Sequence, residues 1–185
     1  MTASAGQKPA RVFRRMYATS AGFDDLAMES DGDVLTALHF VSGKRPAPGG
    51  DMDDLPVFRE TCRWLDRYFS GRDPGPPPPF RLPGATPFRE AVAREMLAIP
   101  FGKTASYGEI AAAVARKRGM RKMSAQAVGQ AVGWNPVCLL VPCHRVVGAD
   151  GSLTGYGGGL DNKAALLRLE SRGKGTCTLL ERSRP

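Results

Sequence analysis

Short segments of apolar and β-prone residues alternate with turn residues over the first forty positions of the chain. Segments 11–19, 24–29 and 33–42 predict three short strands on this pattern. The residues Ser-Asp-Gly-Asp at 30–33 predict a tight hairpin turn between the last two strands. Both faces of the third strand are largely apolar, so we expect His39, which lies inside it, to be structural rather than catalytic.

Helical spacing of apolar residues replaces this pattern farther along the chain. It predicts a helix over 55–70, with Cys62 buried in its apolar stripe. The Pro-rich stretch 71–80 then predicts a stiff, extended linker, because consecutive prolines favour polyproline II. We expect a domain boundary in this stretch. The predicted units are a sheet-plus-helix domain with its linker (1–78), a second domain (79–172) and a flexible tail (173–185).

The second domain shows repeated helix-start signals. They are Thr86-Pro87 for a helix to Ile99, Ser106 with Glu109 for a helix to Arg116, Ser124 for a helix to Trp134, and Asp161 for a helix over 161–172. Helices 106–116 and 124–134 match a helix-turn-helix in outline. The predicted fold class is therefore α/β of the α+β kind. It comprises a small N-terminal β-sheet domain with a helix and a mainly helical C-terminal domain containing the helix-turn-helix.

The net charge of +8 is concentrated in the second half of the chain. Residues 1–80 carry ten basic and eleven acidic residues, whereas 81–185 carry sixteen and seven. This distribution indicates that only the second part meets a polyanion such as nucleic acid. The connector between the two helices supplies the candidate phosphate contacts Arg116, Lys117, Arg118, Arg121 and Lys122. A solvated basic face is the alternative.

The composition also limits the compartment and the cofactor. No apolar run approaches the ~20 residues that a membrane span needs, and the first residues lack the apolar core of a signal peptide. The four cysteines form no C-x-x-C pair, and there are two histidines, so a metal site has little support. We expect reduced thiols and a cytoplasmic protein, or a nuclear one if the organism is eukaryotic.

Cys143 is the strongest candidate nucleophile. It follows an apolar run and Pro142, and His144 and Arg145 come directly after it. A thiol needs a neighbouring base or positive charge to become the reactive thiolate, and these two residues could supply them. On an extended segment His144 would point away from Cys143, so it would act through a water or a local turn. A buried cysteine beside a structural histidine remains the alternative.

Several blocks occur together in one order. They are IPFGKTASYGEIA at 99–111, AVGQAVGWNP at 127–136, PCHRV at 142–146 and GSLTGYGGGLDNKAALLRLE at 151–170. In these blocks the chain resembles the O6-alkylguanine-DNA alkyltransferases. The resemblance is strong over residues 84–171 and looser over 17–42.

The resemblance implies direct and irreversible DNA repair. The helix-turn-helix would enter the minor groove of double-stranded DNA, and the damaged guanine would be flipped into a pocket, because a stacked base hides its O6 substituent. Cys143 would attack the alkyl carbon and keep the alkyl group, so that the protein acts once. No cofactor or metal is implied, and we expect a monomer.

The resemblance also implies roles for individual residues. Cys143, His144 and Glu170 would form a relay in which Glu170 orients His144 and His144 deprotonates the thiol through water. The substrate-binding residues would be Tyr107, Asn135, Val146, Tyr156 and Gly157. The DNA-binding residues would be Ser124, Gln126, Ala127, Gly129 and Arg145, together with Arg116, Lys117, Arg118, Arg121 and Lys122. The family usually has an intercalating Arg where this chain has Gln126, and some relatives place a hydroxyl where it has Gly157.

Other functions remain open from the sequence. A non-catalytic protein that binds alkylated DNA and flags it for another pathway is the main alternative, although such relatives replace the nucleophile, which this chain keeps as Cys143. A sequence-specific transcription factor is disfavoured, because the second helix lacks the side chains that read the major groove. A cysteine hydrolase would use Cys143 and His144 but would leave the DNA-binding motifs without a role.

Overall fold

The computed structural model describes residues 11–20, 22–41 and 54–172. Its N-terminal elements are β1 (Phe13–Tyr17), β2 (Asp25–Ser30), β3 (Leu35–Val41) and α1 (Pro56–Phe69). The later elements are α2 (Pro87–Leu97), β4 (Ala105–Ser106), α3 (Tyr107–Lys117), α4 (Ala125–Gly133), a 3₁₀ turn (Cys143–Arg145), β5 (Val146–Val147) and α5 (Leu160–Ser171). The mixed fold class is confirmed, whereas the predicted tail at 173–185 lies outside the described residues.

The three predicted strands form an antiparallel sheet in the order β1-β2-β3, with the predicted turn between the last two. The turn between β2 and β3 is closed by Asp31, whose Oδ1 accepts hydrogen bonds from the backbone N–H groups of Asp33 and Val34. The pairing of β2 with β3 has a register shift at Glu29/Ser30, opposite the start of β3. Leu35 is therefore buried, although strict alternation of the two strand faces, counted back from the buried Leu38, would point it toward solvent. His39 is exposed.

The free edge of β3 is covered by two later segments. The backbone of Leu35 pairs with the end of the Pro-rich stretch, accepting from Arg81 N at 2.9 Å and donating to Pro79 O at 3.0 Å. Leu38 pairs in the same way with residues 136–138, through two hydrogen bonds of 2.8 Å. The buried apolar residues on both sides of residue 78 form one continuous cluster. The segment that leads to Cys143 is therefore attached directly to the N-terminal sheet.

Most of the predicted helix starts are confirmed. The Thr86 and Ser124 side chains cap α2 and α4, and Ser106 forms a reciprocal capping box with Glu109 at the start of α3. The expected start at Asp161 is wrong. Helix α5 begins at Leu160 after Gly159, whose positive φ of 84° turns the chain into the helix without a side-chain cap.

The expected burial of Cys62 in α1 is also wrong. Cys62 is only half-buried, and the preceding Thr61 takes the core position. The Thr61 hydroxyl donates a hydrogen bond of 2.7 Å to Val57 O, one helical turn back. This bond satisfies the polar group and allows a threonine to occupy a fully buried site. Tyr68, which ends the same stripe, is fully buried.

Helices α3 and α4 pack against each other in the expected helix-turn-helix arrangement. Val128, Ala131 and Val132 turn inward from α4, whereas Gln126 and Gln130 are exposed. Over the described ranges, no helix combines the length and the apolar character that a bilayer crossing requires. Nor does that part of the chain contain a cluster of three His, Cys, Asp or Glu residues that could hold a metal ion.

Candidate active site

Cys143 opens the 3₁₀ turn that follows Pro142 and is only 5 % exposed. The side chain of Asn135, just after α4, braces this turn. Its Nδ2 donates to Val141 O at 2.7 Å and to Cys143 Sγ at 3.1 Å, and its Oδ1 accepts from the backbone N–H of Val137 at 3.2 Å. Asn135 therefore fixes the position of the sulfur and offers it a hydrogen-bond donor.

The sulfur faces a cavity of about 110 Å³ between the N-terminal sheet and the loop before α5. Three of the expected substrate-binding residues line it together with Cys143, namely Asn135, Tyr156 and Gly157. The remaining lining residues are His39, Phe40, Val132, Gly133, Cys138, Gly155 and Gly158. A β-carbon at Gly158 would lie 2.7 Å from both the Phe40 and Tyr156 rings, so this wall depends on a glycine.

The other two expected substrate-binding residues have different surroundings. Tyr107 begins α3 and donates its hydroxyl to Thr154 O at 3.1 Å, which ties the helix-turn-helix to the loop that forms the cavity wall. Val146 is fully buried in β5, and its carbonyl accepts a hydrogen bond of 2.7 Å from Lys163 Nζ. Neither residue lines the cavity described above.

His144 and Glu170 are in direct contact behind the nucleophile, as the expected relay requires. His144 Nε2 lies 2.7 Å from Glu170 Oε1, and both side chains are fully buried. Burial alone would raise the pKa of Glu170, but its hydrogen bonds and charge interactions with His144 and Arg145 outweigh that effect and lower it. An ionised Glu170 accepts hydrogen bonds only, so the Nε2 atom of neutral His144 carries the proton.

The second ring nitrogen of His144 is in the state that a proton acceptor needs. Nδ1 is buried and has no hydrogen-bond partner among the described residues. Burial lowers the pKa of His144, although Glu170 partly opposes this effect, so the neutral imidazole is favoured. With the proton on Nε2, Nδ1 carries the lone pair.

The positive charge beside the thiol comes from a residue that the sequence analysis missed. Burial raises the pKa of Cys143, and the Asn135 hydrogen bond and the charge of Lys163 oppose that rise. Lys163 is itself fully buried on α5, where its Nζ donates to Val146 O and Thr154 O. Its position in the first turns of a predicted helix was visible in the sequence, but its direction was not.

Arg145 does not have the role expected of it, either toward the thiol or toward DNA. It is 8 % exposed, and its guanidinium holds Glu170 through Nε at 2.9 Å and Ile99 O through Nη1 at 2.7 Å. Successive residues of a 3₁₀ turn point about 120° apart, which directs Arg145 away from Cys143. Its placement among the DNA-binding residues is therefore wrong.

Tyr68 is a second residue beside the His144–Glu170 pair that the sequence analysis missed. It lies on α1, in the N-terminal part of the chain, and its hydroxyl donates to Glu170 Oε1 at 2.7 Å. The same oxygen atom of Tyr68 lies 3.2 Å from His144 Nε2. Its aromatic character and helical spacing predicted burial, but only the packing of α1 against α5 reveals its partner.

Most of the remaining DNA-binding candidates lie on the exposed surface of the helix-turn-helix. Five of them line one groove of about 920 Å³ between α3, the connector and the start of α4, namely Arg116, Arg121, Lys122, Ser124 and Gln126. Arg118 is also exposed, and Lys117 pairs with Glu95 at 2.7 Å, which offsets its charge. Ala127 and Gly129 lie on α4, where a β-carbon at Gly129 would contact the Tyr107 ring.

Comparison with known proteins relates this geometry to a family. Residues 87–172 match the family model described as 6-O-methylguanine DNA methyltransferase, DNA binding domain. The chain is 42 % identical over 146 residues to a methylated-DNA–protein-cysteine methyltransferase of Mycobacterium leprae, covering 78 % of this chain and 85 % of that protein. The protein of the same name from Methanosarcina barkeri is 40 % identical over 141 residues, covering 74 % and 84 %. The chain belongs to the methylated-DNA–protein-cysteine methyltransferase family.

Solved structures of this methyltransferase family share the fold. A crystal structure of Mycobacterium tuberculosis OGT in complex with DNA matches with a TM-score of 0.71 and 38 % identity, covering 86 % of this chain and 93 % of that one. The family model spans the nucleophile, His144, Glu170 and Lys163, whereas Tyr68 lies outside it. The buried hydrogen bonds around Glu170 thus include one residue from a part of the chain that the family model does not cover.

Proposed function

We propose that this protein repairs O6-alkylguanine in double-stranded DNA by moving the alkyl group irreversibly to Cys143. The observation that carries the proposal is the joint placement of the thiol at a small cavity, with Asn135 on its sulfur and the buried His144–Glu170 pair behind it. Family membership supports the same reaction. The Sγ–carbon bond forms as the O6–carbon bond breaks, and the departing guanine takes up a proton.

The relay residues divide the proton transfer between them. His144 accepts the thiol proton at Nδ1 through an intervening water, and Glu170 holds the ring by its opposite nitrogen. The resulting imidazolium is stabilised by the ionised Glu170. Asn135 and Lys163 stabilise the thiolate, because each places a donor or a positive charge near the sulfur.

The remaining substrate contacts act on the flipped base. Tyr156 and Gly157 form the cavity wall, and backbone groups near Val146 and Cys143 hold the edge of the guanine. Tyr107 exchanges its hydrogen bond with Thr154 O for one with the base or its phosphate and helps to protonate the leaving guanine. No cofactor enters this scheme, and the protein is consumed in one turnover.

The helix-turn-helix supplies the DNA contacts, and the protein binds the minor groove as a monomer. Helix α4 offers small residues and two glutamines to the groove, so the backbone can approach the DNA closely. The exposed residues Arg116, Arg118, Arg121 and Lys122 attract the phosphates. Gln126 is shorter than the Arg that the family usually has here, so it fills the space that the flipped base leaves in the DNA stack less completely.

Intact-mass spectrometry after incubation with a duplex containing one O6-methylguanine tests the proposal. We expect a gain of one methyl group per protein, mapped to the peptide containing Cys143. The matched controls are the same duplex with unmodified guanine and the Cys143→Ser protein, and both should show no gain. Tight binding of the lesion without any change in mass would instead support the lesion-flagging protein.

A further inference from the structure

The hydrogen bonds around Glu170 contain one member that neither the proposed reaction nor the matched family model explains. Oε1 accepts from His144 Nε2 and from the Tyr68 hydroxyl, each at 2.7 Å, and from the Arg145 guanidinium at 3.1 and 3.2 Å. Oε2 accepts from Arg145 Nε and from the backbone N–H of Gly102, each at 2.9 Å. Arg145 and Gly102 therefore contact both carboxylate oxygens without any contribution from Tyr68.

The Tyr68 hydroxyl is placed where it affects His144 as well as Glu170. It shares a single carboxylate oxygen with His144 Nε2 and lies 3.2 Å from that nitrogen. Each hydrogen bond donated to a carboxylate oxygen withdraws part of its negative charge, so the oxygen attracts another proton less strongly. Tyr68 and His144 therefore compete for Oε1.

We propose that Tyr68 is a positioning residue of the relay, whose hydroxyl weakens the hold of Glu170 on the Nε2 proton and so keeps His144 neutral, with its Nδ1 lone pair available. The inference rests on the proposed alkyl transfer, since that reaction requires a neutral His144 to accept the thiol proton. It gives the N-terminal domain a direct part in the chemistry, because α1 reaches the relay through this one hydroxyl group.

The effect of Tyr68 on the protonation of His144 depends on the charged and titratable groups around these two residues. Those that face His144 are Glu170 and Lys163 on α5, Arg145 on its own turn, and Tyr68 on α1. Those that face Tyr68 are His144, Glu170, Arg145, Cys138 and Tyr156. A Tyr68→Phe replacement removes only the hydroxyl and leaves the other groups in place, and the ring packing against Trp64 and Phe101 is retained.

The direct test is a nitrogen-15 NMR titration of the imidazoles in the DNA-free protein. The chain has two histidines, and a His39→Gln protein assigns the two sets of signals. We expect wild-type His144 to be the Nε2–H tautomer, and Tyr68→Phe to raise its pKa by about one pH unit. The matched control is Tyr17→Phe, which removes a tyrosine–carboxylate hydrogen bond from the same helix, at Asp66, and should leave the His144 titration unchanged.

The single-turnover repair rate gives a second readout. In Tyr68→Phe the acid limb of the pH–rate profile should shift to higher pH by the same amount as the pKa of His144. The rate would fall up to about tenfold on that limb and stay within about threefold of wild type on the plateau. A uniform loss of rate at every pH, with the His144 titration unchanged, would identify Tyr68 as merely structural and overturn the proposal.

A second variant keeps the test decisive if Tyr68→Phe does not fold. Replacing Tyr68 alone with 3-fluorotyrosine keeps the ring and makes the hydroxyl a stronger donor, so the pKa of His144 should move down. An unchanged or raised pKa would overturn the proposal. Because the titration uses the protein without DNA, it stands apart from the alkyl transfer itself: a protein that never gains a methyl group could still show the shift.

Discussion

Replacing Asn135 with alanine is expected to destabilise the protein and to make Cys143 less reactive at the same time. The Asn135 side chain makes three hydrogen bonds, to Val141 O, Val137 N and Cys143 Sγ. Alanine removes all three and leaves the backbone N–H of Val137 without its partner, whereas Val141 O still accepts a hydrogen bond from the backbone N–H of Cys143. It also removes the donor that partly offsets the effect of burial on the pKa of the thiol.

The magnitudes follow from these contacts. Each hydrogen bond contributes about 0.5–1.5 kcal/mol net, so the free energy of unfolding should fall by about 2–4 kcal/mol. For a chain of this size, that loss lowers Tm by about 5–15 °C. The hydrogen bond from Asn135 favours the charged sulfur, so its loss should raise the pKa of Cys143 by about one pH unit, which reduces the thiolate fraction about tenfold at a given pH below that pKa.

Two measurements separate the effects. Thermal unfolding followed by circular dichroism gives the loss of stability. Iodoacetamide alkylation as a function of pH, read by mass spectrometry of the peptide containing Cys143, gives the pKa of that thiol despite the other cysteines. Asn162→Ala is the matched control, because Asn162 also makes three hydrogen bonds, with Asp24 and Gly158, and none of them involves the sulfur.

The control decides the interpretation. Both variants should lose stability, and only Asn135→Ala should shift the alkylation profile. If the Cys143 profile moved equally in both variants, the change would report general loosening of the fold. If it stayed unchanged in Asn135→Ala, the 3.1 Å contact with the sulfur would have no electrostatic effect, and the role given to Asn135 would be refuted.

Three further predictions use other parts of the structure. Gln126→Arg should raise the single-turnover rate about tenfold through one added stacking contact. The control Gln130→Arg adds the same charge to the same helix and should raise the rate less. Equal rates for Gln126→Arg and wild type would contradict this prediction. Gly102→Ala should destabilise the protein by about 1–2 kcal/mol more than Gly119→Ala in urea unfolding, because both glycines have positive φ but only at Gly102 would the β-carbon lie 2.9 Å from a backbone oxygen. The pKa of Glu170 is lower in the folded protein than in the unfolded chain, so its ionised form stabilises the fold at any pH above the ordinary carboxylate pKa. This stabilisation is lost as the pH falls toward the pKa of Glu170 in the folded protein. The Tm should therefore decrease once the pH is below about 4. A Glu170→Gln protein should show a flatter dependence of Tm on pH, and parallel curves would exclude this group as the cause.

The elements that depend on local sequence were predictable. The strands, the turn at 30–33 and the caps at Thr86, Ser106 and Ser124 each follow from a few neighbouring residues, and the structure confirms them. Helix α5 was misjudged locally, since an acidic residue in its first turn resembled a cap whereas Gly159 makes the turn. A backbone with positive φ leaves a weaker signal in the sequence than a capping side chain.

The site was predictable only as far as its motif extends. Cys143 and His144 are adjacent in the sequence, and the family resemblance added Asn135 and Glu170. Arg145 was misassigned because adjacency in sequence gives no direction on a 3₁₀ turn. Lys163 and Tyr68 depend on how α5 and α1 pack around the turn, and this long-range packing cannot be read from spacing.

The pairing of β3 has a consequence for the order of folding during synthesis. This strand is made early, yet its outer edge is completed by residues 79–81 and, through Leu38, by residues 136–138. Until Cys138 has left the ribosome, the nascent sheet presents unpaired backbone groups along one side, the kind of edge on which other chains can add. Leu38 and Cys138 are far apart in sequence, so the contact between them is slow to form. The assembly of the nucleophile's segment and the protection of that edge are therefore one late event.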